Sequence, residues 1–248
     1  MASDTDTLML VERALDQTAA LIAAIDASQA GLATPCPAWD VRALVRHLAA
    51  QDLRNFLVSA HGETADWQEP ADELGEDWAT EFRDRAAPLR AVWQEADLDR
   101  LVAVPGGGQA PLRSRADQQI TELAVHGWDL AQATGQQAGL DAALAEHALS
   151  WSRQMLRPEF RGPGQAFGPE VPVRPDAPVY QRLAGWFGRD PEWTPPGGAA
   201  GHRPEWLTFA QPPCASTWAF SASVPPSWPL GQRHAGRLIA RRPRPGLR

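Results

Sequence analysis

Three side chains of this chain have the types and spacing to hold a divalent metal ion. His47 lies in Trp39-Asp40-Val41-Arg42-Ala43-Leu44-Val45-Arg46-His47-Leu48. Glu122 and His126 lie in Thr121-Glu122-Leu123-Ala124-Val125-His126-Gly127-Trp128-Asp129. Both stretches read as helix. Residues four apart stack on one helix surface, so a carboxylate and an imidazole at that spacing can share an ion. His47, from another helix, would complete a three-ligand set with positions open for water or substrate. Ordinary pairing along a solvated helix explains Glu122 and His126 as well. On a helical wheel His47 flanks a stripe of Val41, Leu44, Val45 and Leu48. Glu122 and His126 flank one of Ile120, Leu123, Gly127 and Leu130. All three thus fall near a seam between packed helices, where bundles build metal sites. A place at the stripe's edge leaves burial and exposure both open.

Other chemistry is weaker. Asp52 and Asp129 are candidates to orient the ligand histidines; Arg46 and Arg54 read by default as solvated side chains, with contact to an anionic substrate as the alternative. Cys36, between two prolines, reads as a small buried residue rather than a nucleophile. His61 ends a helix, where a cation suits the dipole. His147 reads as structural, and His202 and His234 lie late in the chain. Gly106-Gly107-Gly108 lacks the Lys-Ser/Thr of a phosphate loop, and there is no Gly-x-Ser-x-Gly elbow. No residue is assigned a catalytic role.

Helices must position these groups. Leu8, Val11, Leu15, Thr18, Ala19, Ile22 and Ile25 mark a first helix by their three- and four-residue spacing. Pro35 and Pro37 stiffen an extended approach to the second, with Asp40 as N-cap and Trp39 placed to staple onto Leu44. A third helix spans about 78–97, with Phe82, Ala86, Leu89 and Trp93 on its apolar face. A short strand follows at Leu101–Val104. Ser114 with Asp117 resembles a capping box for the fourth helix, which Gly135 would close. A fifth helix spans about 141–156. A Pro- and Gly-rich loop then crosses to a last short helix holding Tyr180, Leu183, Trp186 and Phe187.

At 248 residues the chain can bury a full core. No apolar run is long enough to span a membrane, and the acidic start lacks a signal peptide's basic region. Two cysteines make no disulfide framework, so a cytoplasmic location is expected. The net charge is −7, and residues 191–248 contain seven Arg against two acids. The rest is therefore strongly acidic, which argues against nucleic-acid binding. That last segment also holds 11 of the 23 prolines and no periodicity. It reads as a poorly ordered tail, and its Trp206, Trp218 and Trp228 do not form a stacking platform.

Thr34-Pro35-Cys36-Pro37-Ala38-Trp39-Asp40 through His47-Leu48 resembles the signature of the DinB-like metal-binding proteins. More closely, it resembles the actinobacterial branch related to the mycothiol-dependent maleylpyruvate isomerase N-terminal domain. Glu122 to Ala131 fits that branch's second signature. Phe167-Gly168-Pro169-Glu170-Val171-Pro172-Val173 and Gly188-Arg189-Asp190-Pro191 fit its ending. The resemblance implies an all-α, DinB-like four-helix bundle binding a divalent ion through His47, Glu122 and His126. This chain adds an extra helix, a short strand/turn insertion and an irregular C-terminal tail. The bundle is expected over 1–193 and the Pro/Arg-rich tail over 194–248.

The ligand set suits zinc, and also nickel, iron or manganese. The resemblance implies a low-molecular-weight thiol of the mycothiol type, a small electrophilic substrate and isomerase or transferase chemistry. A metal deprotonates a coordinating thiol, which would supply the nucleophile. The alternative is a metal-binding sensor or interaction protein without catalysis. Monomer and homodimer are both open.

Overall fold

The computed structural model describes residues 3–37, 39–104, 108–162 and 167–196. Beyond Pro196 the expected tail, with His202, His234, Trp206, Trp218 and Trp228, lies outside the described residues. Seven α-helices dominate the described residues. They are α1 (Asp4–Ala23), α2 (Val41–Arg46), α3 (Leu53–Ala60), α4 (Trp78–Gln94), α5 (Arg113–Thr134), α6 (Ala142–Met155) and α7 (Val179–Trp186). A π-helical segment, His47–Asp52, joins α2 to α3 so that the two form one rod. Among the described residues no helix is long and apolar enough to cross a membrane.

Local chemistry sets the ends of these helices. Ser3 and Asp6 cap α1 reciprocally, each side chain accepting from the other's backbone N–H. The Asp40, Asp77 and Asp141 carboxylates accept backbone N–H groups at the starts of α2, α4 and α6. Gly135 closes α5 at φ 78°, a left-handed conformation that suits glycine. The expected capping box of α5 is absent. Its N-cap is Leu112, already helical, with no side-chain cap. Ser114 Oγ instead donates to the Pro111 carbonyl, and Asp117 meets His147. The chain turns directly out of a two-stranded ladder, β1 (Leu101–Ala103) and β2 (Gln109–Pro111), antiparallel with Val102 opposite Ala110. The helix begins before Ser114 can cap it.

The α1, α2–α3, α4 and α5 helices pack as the four-helix bundle, and α6 and α7 cover the remaining side of α5. Every residue of α5 from Arg115 to Ala131 is buried. Leu15, Leu48, Phe56, Phe82, Trp93 and Ile120 sit fully buried between the helices. Burying each such side chain contributes about 1.5–3 kcal/mol, which clamps the rod of α2–α3 against α5. The crossing loop lies tight on α7. Val171 donates its N–H to the Gly185 carbonyl at 2.9 Å. A Cβ on Gly185 would come within 2.4 Å of Val173 Cγ2 and 2.6 Å of the Val171 carbonyl oxygen.

Candidate metal centre

The two rods bring His47, Glu122 and His126 together. Each is only 3% exposed, which answers the question left open by their wheel positions. One ligand atom from each lies within 4.8 Å of the others. Glu122 Oε2 stands 3.4 Å from His126 Nε2, one turn apart on α5. His47 reaches them from the π segment. A π turn inserts a residue into the helical ladder and re-aims the side chains around it. All six residues from His47 to Asp52 are buried.

Hydrogen bonds set which ring nitrogen each histidine presents. Gln51 Nε2 donates to the carbonyls of Trp67 and Glu69, at 3.1 and 3.0 Å. Its oxygen therefore faces His47 Nδ1, at 2.9 Å, and that nitrogen carries the hydrogen. On the other side Asp129 Oδ2 accepts from His126 Nδ1 at 3.0 Å. Arg189 holds Asp129 in turn, its Nε donating at 2.9 and 3.1 Å and its Nη2 at 2.8 Å. Both Nε2 atoms are left facing the seam. A partner on the far ring nitrogen is the usual way a protein orients a ligating imidazole.

The electrostatics of the two sides differ. Burial, with the nearby His126 charge, pushes His47 down to about 3, against the Gln51 hydrogen bond. Burial acts downward on His126 too. Hydrogen bonds and charge from Asp129 and Glu122 outweigh it and raise that ring to about 9. Asp129 would be raised by burial, but Arg189 and His126 hold it below the usual carboxylate range. Burial and the Glu122 charge raise Asp52 well above that range.

A divalent ion fits this set. His47 Nε2 and Glu122 Oε1 are buried and have no hydrogen-bond partner. Such atoms are costly in a dry interior unless something binds them. Two imidazoles and a carboxylate are also the donors that zinc and its neighbours take.

Trp39 roofs the site. Its ring centroid lies 4.5 Å from that of His47 and 5.5 Å from that of His126, the two imidazoles being 5.2 Å apart. The position before the N-cap points this ring at Leu44; it also lies tilted against the two imidazoles, at 34° and 47°. The Thr34 hydroxyl donates to the Trp39 carbonyl at 2.8 Å and to that of Cys36 at 3.0 Å, fixing the turn that places it. Cys36 is fully buried and is not a free thiol.

Of the two expected orienting residues, Asp129 takes that place on His126 Nδ1, whereas on His47 Nδ1 the place belongs to Gln51. Gln51 and Arg189 carried no assigned role in the sequence reading. Only the i+4 spacing from His47 pointed to Gln51. Arg46 and Arg54 have protein partners on the surface, in keeping with the solvated reading. Arg46 pairs with Glu73, and Arg54 donates to the carbonyls of Glu69 and Pro70. His147 is paired with Asp117 at 2.8 Å, away from the three donors.

Fold and donors together define a DinB-like helical bundle with three side chains at its central seam that could hold a metal ion. A family model described as the mycothiol maleylpyruvate isomerase N-terminal domain matches residues 11–131. Two uncharacterized proteins of Mycobacterium tuberculosis, from strains CDC 1551 / Oshkosh and H37Rv, are each 32% identical over 197 residues. The matches cover 74% of this chain and 98% of each relative. The chain belongs to the mycothiol maleylpyruvate isomerase N-terminal domain family. Two crystal structures of the mycothiol-dependent maleylpyruvate isomerase, one of a mutant, overlay with a TM-score of 0.44 at 16% identity. They cover 60% of this chain and 67% of theirs.

Proposed function

We propose that the protein is a metal- and thiol-dependent isomerase or transferase acting on a small electrophilic substrate. In this reading His47, Glu122 and His126 hold one divalent ion, most readily zinc. The carrying observation is the convergence of the three buried donors, two of them with partnerless atoms. Membership of a family described by mycothiol chemistry supports the thiol. A divalent ion held by these residues would stabilise a coordinating thiol as thiolate near neutral pH. The protein's own residues do the rest. Gln51 and Asp129 fix the two rings, Arg189 keeps Asp129 in place, and Trp39 shields the donors from water.

One observation favours the second reading, metal binding without catalysis. With donors only 3% exposed, a small molecule has little open surface to approach. Cobalt substitution separates the two. In the thiol-dependent reading, adding mycothiol or a simpler thiol to the cobalt-loaded protein produces an intense near-ultraviolet charge-transfer band. Thiol binding without a spectral change would sink that reading and leave the non-catalytic one.

A further inference from the structure

Arg115 lies in the first turn of α5 and is only 7% exposed. Among the described residues no carboxylate pairs with it, and its side chain makes one hydrogen bond, from Nη1 to Gln118 Oε1 at 3.1 Å. Burial pushes the guanidinium below its ordinary range, with no anion opposing the shift. Gln118 and Gln119, the latter one turn along the helix, are buried too, and the Nε2 of each has no hydrogen-bond partner. Neither amide can be turned round to supply an acceptor. Arg115 and the Trp93 ring only donate, so the atoms that face them must be oxygens. These are Gln118 Oε1 and Gln119 Oε1, the second at 2.6 Å from Trp93 Nε1. A buried cation and two amide N–H groups are thus left short of acceptors.

Unmet donors are costly in a dry interior, and an uncompensated charge is costlier. A carboxylate supplies both missing things, a negative charge and several acceptor positions, and its two oxygens match the guanidinium fork. The place of these groups ties them to the seam. At the α-helical rotation per residue, Arg115, Gln118, Gln119, Glu122 and His126 fall within an arc of about 100° on α5. They share one face, and Arg115 precedes Glu122 by two turns, about 10 Å along the axis. A small molecule with its carboxylate on Arg115 therefore points its other end toward the metal-type donors.

We propose that Arg115, with the Nε2 groups of Gln118 and Gln119, forms a subsite for the carboxylate of a small-molecule substrate whose reacting end lies at His47, Glu122 and His126. The substrate's place at the seam rests on the function proposed above. The carboxylate contact itself does not need the ion.

The test is calorimetric titration of the metal-stripped protein with butyrate, and with its neutral counterpart butyramide, inorganic phosphate and chloride for comparison. Wild type should bind butyrate at least about tenfold more tightly than any of the three, and Arg115→Gln should remove that preference. Gln118→Glu keeps an acceptor for Arg115 and adds a carboxylate of the protein's own. It should abolish butyrate binding and raise the melting temperature of the ligand-free protein, and it decides if Arg115→Gln does not fold. Butyrate binding that is equal in wild type and both variants, or that butyramide, phosphate or chloride matches, overturns the subsite. A second titration joins it to the seam. In the metal-loaded protein mercaptohexanoate should bind at least about tenfold more tightly than mercaptohexanamide, an advantage that Arg115→Gln removes. Equal affinities would separate the carboxylate from the seam and overturn the proposal. A protein that prefers butyrate but takes up no metal would instead overturn the function proposed above and leave the carboxylate contact standing.

Discussion

The two histidines at the seam are held by opposite means. His47 leans on a neutral amide, Gln51, itself pinned by two backbone carbonyls. His126 leans on a carboxylate, Asp129, gripped by an arginine. The first ring is driven toward neutrality, to about 3, and the second toward charge, to about 9. Both nevertheless present Nε2 to the same space. The difference shows that orientation and protonation are set separately. A polar partner on Nδ1 suffices to aim the ring, while the partner's charge decides which ring carries a proton when no metal is present.

The comparison is broken most completely by removing either ring. His47→Ala and His126→Ala should each reduce divalent metal content, measured by mass spectrometry after dialysis, to below about a tenth of wild type. Both should lose it, because each supplies one of three donors despite its different environment. Equal metal content in wild type and both variants would remove the site.

The next effect is one of pH, and its sign differs between the rings. In the metal-free chain His126, raised to about 9 from an ordinary 6.5, stabilises the fold fully below about 6.5. That contribution is lost as pH rises through about 9. His47, lowered to about 3, acts in reverse. Its contribution is fully present above about 6.5 and declines as pH falls toward 3, because the unfolded chain takes up the proton. Metal must displace the His126 proton but none from His47. Affinity should therefore rise by about tenfold per pH unit between about 6.5 and 9 from this ring alone. Asp129→Asn, which withdraws the charge behind His126, should flatten that slope. Chelator-competition titrations at several pH values check it, and a slope unchanged by Asp129→Asn would show that the carboxylate does not govern the proton.

Much of this arrangement was legible in the sequence, and the exceptions have physical causes. Val11, Leu15, Thr18 and Ile22 repeat at helical spacing and lie buried on α1 as their period requires. Asp40 caps α2, so the element carrying His47 could be placed. The Glu122–His126 spacing put both groups on one face of α5. The π turn could not be read, because it is a choice of hydrogen-bond partner within a stretch that is helical either way. The stacking of Trp39 on the imidazoles could not be read either, since an aromatic before an N-cap has a local partner available in Leu44. Arg189 meets Asp129 across 60 residues, a pairing that no local period encodes. The α5 helix hides its partners for another reason. With every side buried from Arg115 to Ala131, it has no exposed face to set against a buried one, and its polar residues are buried with the apolar ones.

The smallest effect comes from a third histidine that serves as the control. His147 Nε2 meets Asp117 Oδ1 at 2.8 Å, an imidazole–carboxylate pair as close as His126 with Asp129. It joins α6 to α5 near the N-terminal end of α5, and among the described residues it belongs to no three-donor group. If pairing with a carboxylate were enough to make a metal ligand, His147 would bind metal too. The geometry says that convergence decides, with His47 and Glu122 brought to His126 and nothing comparable brought to His147. His147→Gln keeps a donor near Asp117, so it should cost about 1 kcal/mol or less, a shift of a few degrees in melting temperature. Metal content, pH slope and cobalt spectrum should match wild type. A His147→Gln protein that loses its metal would show that a paired imidazole outside the seam governs binding, and the contrast between the two sides of the seam would then be incidental.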